Sequence, residues 1–432
     1  MKRRIFSLIL CALMLMSAFL VGCGDKTDDE IIARIAKNAT QPYTITLWIP
    51  TNDTTTAEAV QAVQDAMNEI LRKEFSTEVK IYAIKDSEYE AAVEARLNEI
   101  KEKIDAGQES AKSIMDTKVK NGDVTVVKND DGTYETVYPD VLDVQMDLFL
   151  TRTKADFDKY KGAGQIASLY NHMTGLYRNF DKIIATNLLK NGETYWHERY
   201  GVPVNHVIGE YSFLVVDKEL ADKYNKTLSE EAKIDFASLK TLSDLEAFIT
   251  WAKGQTAVAL SGAKDAFTAD DQTVWQTLSD AGCVGTSDDA AVCFAKGDFV
   301  DLENYRKDSY VVKYQMPVAT EEEIFSSVFV ISTYSVENAT TNPRAMDFLY
   351  YLNTNVTMKT LLQYGIEGVH YELVYAEDDI NLENPSIRII SDDYSMNTLY
   401  TGNIYKSYRG EGVTLADSWE TAKEQNLDSV IQ

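Results

Sequence analysis

The chain has 432 residues, of which 45% are hydrophobic and 10% aromatic, the composition of a globular protein rather than a disordered one. Its 68 acidic residues against 42 basic ones give a formal net charge of −26 at pH 7. A field of that sign argues against nucleic acid and anionic lipid as partners, because both repel it, and by itself it identifies no ligand.

The first 23 residues are patterned for export. Lys2-Arg3-Arg4 is a positive start, and Ile5 to Phe19 is an apolar core too short for a stable spanning helix. Leu20-Val21-Gly22-Cys23 follows where an Ala-x-Ala cleavage site would stand. This tetrapeptide resembles the lipobox of bacterial lipoproteins, whose cysteine thiolate takes a diacylglyceryl group before the peptide ahead of it is removed. The resemblance implies a signal peptide over 1–22, lipidation of Cys23 and a place on the extracellular face of a bacterial cell membrane. Acyl chains hold a protein there by about 0.8 kcal/mol per buried methylene. Residues 23–42 are polar, with Asp25, Asp28, Asp29 and Glu30 close together, and read as a flexible tether. No other run of 18 apolar residues occurs, so contact with the membrane is expected through the lipid anchor only. Beyond Cys11 and Cys23 only Cys283 and Cys293 remain, and they either pair or sit apart as two buried thiols.

Order is expected from Tyr43. The run to Ile49 is rich in β-formers and ends at Pro50, and Thr55-x-x-Glu58 then forms a capping box for a helix with Val60, Val63, Met67, Ile70 and Leu71 at helical spacing. A strand over Val79–Ile84 precedes a second capping box, Ser87-x-x-Glu90, and a helix with Tyr89, Val93, Leu97, Ile100 and Ile104 on one face. This strand–helix alternation predicts a parallel sheet with crossover helices, hence an α/β fold. Val124–Lys128 and Thr133–Tyr138 read as a hairpin about Asn129–Gly132, and Val144–Leu150 as a third buried strand. Helical material over 155–190 leads to Gly201–His206 and a long apolar strand over Tyr211–Asp217. Helices are expected over 217–224 and 241–252, the latter capped by Ser243 and Glu246, then strands over 311–317 and 328–331 and a helix over 344–352.

Several segments, in this order, resemble the family 1 extracellular solute-binding proteins of carbohydrate ABC importers. They are Thr46-Leu-Trp48, Met146-Asp-Leu-Phe149, Gly164-Gln-Ile-Ala-Ser-Leu169, Gly201-Val-Pro-Val-Asn-His206, Phe213-Leu-Val-Val-Asp-Lys218, Ser332-Thr-Tyr-Ser-Val-Glu337 and the stretch Asn342–Leu352. Tyr364-Gly-Ile-Glu-Gly-Val-His-Tyr371 and Gly402-Asn403 resemble the large lipoprotein branch, often assigned to oligosaccharides. Chains of that branch commonly continue past the Trp419…Asn426 helix, whereas this sequence stops at Gln432. The resemblance implies a two-lobed, type II periplasmic-binding-protein-like fold with a hinged cleft. Lobe one would comprise 43–208 plus 319–362 and lobe two 212–317 plus 365–432, with hinges near Gly209, Pro317 and Gly365. It also implies a monomer that captures a small-molecule carbohydrate and delivers it to ABC permease subunits, without a cofactor.

Sugars are held by aromatic rings against their C–H faces and by carboxylates and amides around their hydroxyls. In open α/β sheets such groups gather at the carboxyl ends of strands. Lobe one offers Trp48, Asn52, Asp53, Asp86, Arg152 and Thr153, and the first crossing offers Asn205, His206, Glu210 and Tyr211. Lobe two offers Trp251, Trp275, Tyr364, Glu367, His370, Tyr371 and Asn403. With 25 tyrosines in the chain, a tyrosine alone identifies nothing, and each ring has ordinary core packing as its competing explanation. Gly162-x-Gly164-x-x-Ala167 follows a polar helical stretch rather than a buried strand, so no dinucleotide site is read there. Asn129–Gly132 lacks the first acidic ligand of a calcium loop, and the four histidines (172, 197, 206 and 370) have no His-Glu-x-x-His spacing, so no metal site is expected. Two other readings stay open: a surface-anchored glycan-processing enzyme, whose carboxylate pair nothing marks out, and the same fold binding a peptide or another solute.

Overall fold

The computed structural model describes residues 43–121, 125–128, 134–169, 179–190, 199–336, 344–375, 385–410 and 418–431. Cys23, the segments 1–22 and 23–42, the Asn129–Gly132 turn, His172 and His197 lie outside them. Among the described residues no helix is long and apolar enough to cross a membrane. The chain divides into two compact units, 1–206 with 325–414 and 207–324 with 415–432.

The first unit begins with β1 (Tyr43–Thr51), α1 (Ala57–Phe75), β2 (Thr77–Lys85), α2 (Tyr89–Asp105) and α3 (Ala111–Asn121). Next come the antiparallel hairpin β3 (Thr125–Lys128) and β4 (Tyr134–Val137), then β5 (Leu148–Thr151), α4 (Lys154–Gly162), α5 (Phe180–Ile183), α6 (Thr186–Lys190) and β6 (Val202–Pro203). The expected α/β class and parallel pairing are both present, since β1 runs parallel to β2 and to β5. Ile45, Leu47 and Ile49 are fully buried on one face of β1, and Val93, Leu97 and Ile100 form the buried stripe of α2. β1 continues through Pro50 to Thr51, where it pairs with β2 alone, so the missing N–H interrupts no second ladder.

Both expected capping boxes differ from the structure. Thr56, not Thr55, caps α1 by accepting from the Ala59 N–H, and α2 is entered through a 3-10 turn at Asp86–Glu88 with no side-chain cap. The third strand is shorter than expected. Residues 144–147 are buried but held by side-chain bonds, chiefly at Asp147, rather than by a ladder.

The second unit opens with β7 (Glu210–Asp217), α7 (Lys218–Asn225), α8 (Glu246–Ala252), β8 (Leu260–Ser261), α9 (Ala269–Asp280), β9 (Val284–Gly285), β10 (Val292–Gly297), α10 (Phe299–Asp308) and β11 (Ser309–Ala319). α8 follows a 3-10 turn at 243–245 and has no side-chain cap from Ser243 or Glu246; instead Asp271 accepts from the N–H groups of Leu242 and Ser243. β11 runs past Pro317 because its register shifts between Gln315 and Val318, and a proline is tolerated at such an irregularity.

After α11 (Glu321–Phe325) the first unit resumes with β12 (Val328–Ile331), α12 (Arg344–Thr354), α13 (Val356–Tyr364), β13 (Tyr371–Val374), β14 (Ser386–Ile389) and β15 (Arg409–Gly410). The chain then supplies α14 (Ser418–Asp428) and β16 (Val430–Ile431) to the second unit. The two main sheets have the strand orders β2-β1-β5-β12-β6 and β16-β11-β7-β10-β8-β9.

Two sequence expectations differ from this arrangement. Residues 365–410 belong with the first unit rather than with lobe two, because they are bonded into it: the Tyr394 hydroxyl donates to Leu362 O (2.8 Å), Thr56 N to Asp393 O (2.9 Å) and Ile404 N to Asn205 O (3.1 Å). Residues 319–324, expected in lobe one, group with the second unit. Cys283 and Cys293 are free thiols, the first buried and the second half-buried. β8 lies between the strand that follows Cys283 and the strand that carries Cys293. Two strand spacings, about 9–10 Å, exceed the Cα separation a disulfide spans.

Candidate functional site

β1, β2 and β5 are parallel, so their carboxyl ends at Thr51, Lys85 and Thr151 lie along one edge of the first unit's sheet. The residues that leave those ends are Asn52 and Asp53, Asp86, and Arg152 with Thr153. Arg152 is the centre of the group. Its Nε donates to Glu90 Oε1 (2.6 Å), its Nη1 to Asp86 Oδ1 (2.5 Å) and its Nη2 to Asp86 O (3.2 Å) and to Glu90. The guanidinium carbon lies 5.3 Å from the Tyr89 ring centre and 5.7 Å from that of Tyr400, and Nη1 also donates to the Tyr400 hydroxyl (3.3 Å). Burial works against its charge, but the bonds to Glu90 and Tyr400 more than offset this and hold its pKa above the ordinary value.

Tyr89 fixes the base of this group. Its hydroxyl accepts from Leu150 N (2.8 Å) and lies 3.1 Å from Trp48 O, so it ties β1 to β5, and burial pushes its pKa upward. Thr153 is spent as the N-cap of α4, accepting from Asp156 N (3.0 Å). Trp48 is half-buried and stacked on Tyr82 of the neighbouring strand, with centroids 4.7 Å apart and planes at 16°.

Residues 393–406 cross these strand ends as a strap. The Ser395 carbonyl accepts from Thr55 Oγ1 (3.1 Å) and Thr51 Oγ1 (3.4 Å), Ser395 N donates to Thr55 Oγ1 (3.1 Å), and Asn52 Nδ2 donates to Ser395 Oγ (3.0 Å). The Ser327 hydroxyl, just before β12, donates to Leu399 O. Farther along, Asn205 Nδ2 donates to Ile183 O (2.8 Å) and to Asn403 Oδ1 (3.4 Å), while Asn403 Nδ2 donates to Asn353 O (3.3 Å). Asn205 and Asn403 are thus buried ties whose amides are already engaged.

His206 is also buried; its Nδ1 donates to Val204 O (2.8 Å) and its Nε2 lies 3.4 Å from Ser326 Oγ. His370 braces a turn. Its Nδ1 accepts from Ile366 N (2.9 Å), and burial lowers its pKa, opposed by Asp393. Gly365 has φ +82°, and a Cβ there would stand 2.4 Å from His370 Nδ1, so this turn admits only glycine without rearrangement. Beside it, the Tyr364 and Tyr371 rings are 6.1 Å apart, and Glu367 is half-buried with its pKa raised by that burial.

The structure therefore brings Asp86, Arg152, Thr153, Asn52 and the Trp48 backbone together, and separately Tyr364, Glu367, His370 and Tyr371. Asp53 is exposed at the end of β1. The remaining four predicted residues belong to the second unit. Glu210 is exposed at the start of β7, whereas Tyr211 is buried, 5.6 Å from Phe213 and under the Lys313 ammonium at 4.8 Å, with burial pushing its pKa up to about 12. Trp251 packs on Tyr224 (5.2 Å), and Trp275 donates to Gly262 O (2.9 Å) at the margin of that unit's core. Sequence reasoning missed Glu90 and Tyr400. Glu90 has the spacing of a capping-box partner to Ser87, and the only sequence signal near Tyr400 is the Gly402-Asn403 pair that follows it.

No family model and no curated protein matches the chain. Among solved structures, it is similar to an N-glycan transport solute-binding protein from Streptococcus pneumoniae, with 16% identity over 90% of this chain and 83% of that one and a TM-score of 0.48. It is also similar to an ABC substrate-binding protein from Listeria monocytogenes solved with cycloalternan (12% identity, 90% and 88% covered, TM-score 0.32). A cyclic alpha-maltosyl-1,6-maltose binding protein from Arthrobacter globiformis is a third (12% identity, 90% and 88% covered, TM-score 0.39). Similarity at this level says nothing about which solute a chain holds.

Proposed function

We propose that this protein is a lipid-anchored extracellular solute-binding protein that captures a carbohydrate, specifically an oligosaccharide, and hands it to ABC permease subunits. The observation that carries the reading is at the strand ends of the first unit: a half-buried tyrosine ring, Tyr400, beside two carboxylates, Asp86 and Glu90, whose side chains keep 57% and 43% of their surface exposed. A ring for the C–H face of a sugar and carboxylates for its hydroxyls are what such a ligand requires. The sequence resemblance and the export pattern around Cys23 support the same reading. No bond is made or broken in it; the work is selective binding, with the solute favouring whichever state it contacts best.

The direct test uses purified residues 24–432 against a panel of oligosaccharides, with tryptophan fluorescence and product release followed together. Saturable fluorescence change without turnover is the expected result, and liberated sugar would replace the receptor reading with the glycan-processing one. A second expectation concerns the anchor. In a bacterial host that processes lipoproteins, the full chain partitions into the detergent phase, and Cys23→Ser moves it to the aqueous phase. Equal partitioning of the two forms would remove the lipid from the proposal.

A further inference from the structure

We propose that Tyr400 is the aromatic platform of the first unit for a neutral sugar ring, and that Arg152 is the residue that positions it. The inference rests on the carbohydrate reading above and names the group within that site on which affinity depends.

Several groups at the strand ends and in the strap are already engaged or buried. At the end of β1 the side chains of Thr51, Asn52 and Thr55 are bonded to Ser395, so their polar groups are already engaged by residues 393–406. Within the strap Tyr394 and Met396 are buried, and the Asn397 side chain is occupied in capping Leu399 N (2.9 Å). The other aromatics there are Tyr400 and Tyr405, both half-buried, and Tyr400 is the one that lies beside the Arg152 guanidinium and accepts from it.

What distinguishes it from an ordinary surface tyrosine is its support. The guanidinium beside it is held by bonds to Asp86 and Glu90 and lies against the fully buried Tyr89, so several contacts fix its position. A ring held by such a group binds without first being ordered, which removes part of the entropy cost of association. The same clamp sets the ligand class. One guanidinium stands between two carboxylates, so the local charge is negative, which suits a neutral ring and opposes a uronic acid or sulfated sugar.

The test is calorimetric titration of residues 24–432 with the tightest-binding neutral oligosaccharide from the panel. Tyr400→Ala is expected to weaken binding about tenfold or more, and Tyr400→Phe to stay within about twofold. If Arg152 acts through the ring, Arg152→Ala weakens binding, and the double variant binds no more weakly than Tyr400→Ala alone. Additive losses would instead make Arg152 an independent determinant and overturn its positioning role. Tyr400→Trp provides a readout that does not depend on the alanine variant folding: its added emission should shift at saturating sugar, and an unchanged spectrum counts against contact. Wild-type binding with an unaltered Tyr400→Ala affinity would refute the platform while leaving the carbohydrate reading intact. Failure of the wild type to bind any sugar would end both.

Discussion

Replacing Asp147 by asparagine is expected to destabilise the first unit by about 3 kcal/mol, and replacing it by alanine by about 3–5 kcal/mol. The carboxylate is fully buried and accepts five hydrogen bonds. Oδ2 takes them from Thr46 N (2.8 Å), Thr46 Oγ1 (3.0 Å) and Gln145 Nε2 (2.7 Å), and Oδ1 from Ser335 Oγ (2.5 Å) and Val336 N (3.0 Å). Burial pushes its pKa up, and these donors oppose that shift. A backbone N–H points at each oxygen. An asparagine side chain has only one oxygen, so in either orientation its amide nitrogen faces an N–H that cannot accept. The isosteric change therefore forces two donors together, and alanine leaves all five without this acceptor. The group joins β1, the start of β5 and the turn after β12, where Ser332 N also donates to Asp147 O (2.8 Å). Urea unfolding of the three proteins measures the effect, and an unchanged midpoint in Asp147→Asn would show that the network contributes little.

Asp147 also shows where sequence reading stops. Its apolar neighbours Val144, Met146, Leu148, Phe149 and Leu150 read as a strand, and all are buried. That the aspartate among them is held by five donors is largely a tertiary fact, since only Gln145 is a sequence neighbour and the other four donors lie 101 and 188 or more residues away in the chain. Local patterns were legible where burial follows a simple period. The β-branched runs of β1, β2, β7 and β12 and the stripe of α2 needed nothing beyond their own residues. Helix starts were less so, because Thr55 and Ser87 have the right chemistry for caps, but the one bonds to Ser395 and the other falls within a 3-10 turn. Of the strap only the Gly402-Asn403 pair was legible. Residues 393–406 have no hydrophobic period, and what places them is a set of scattered bonds to distant residues, among them Thr55, Arg152, Ser327, Lys359 and Asn205. Of the candidate site, the strand-end positions Asp86 and Arg152 follow from topology. Their partners Glu90 and Tyr400 do not.

Lys359→Met is expected to make the protein more stable at pH 7, by an amount that shrinks as the pH rises. Lys359 lies on α13 and is fully buried; its Nζ donates to Thr398 O (3.3 Å) and to Thr401 Oγ1, and burial alone drives its pKa well below 10.5. In the unfolded chain the same ammonium keeps its proton up to about pH 10.5. Between the depressed folded value and that limit the unfolded state binds more protons, so this lysine makes stability rise with pH, by up to about 1.4 kcal/mol per unit. Below the folded value both states are charged and the slope vanishes. Buried tyrosines such as Tyr89 and Tyr394 act in the opposite direction above pH 10, since burial keeps them protonated in the folded state while the unfolded chain ionises. The difference between wild type and Lys359→Met cancels that contribution. Methionine fills a similar volume, and the Thr401 hydroxyl keeps Thr398 O as an acceptor at 3.1 Å, so the exchange strands no polar hydrogen on the strap. Urea unfolding of both proteins at intervals from pH 7 to pH 10 should show Lys359→Met ahead at the start and the gap closing upward. A gap that is constant across that range would mean the lysine is charged in the folded protein and that the strap is held by an ammonium rather than an amine.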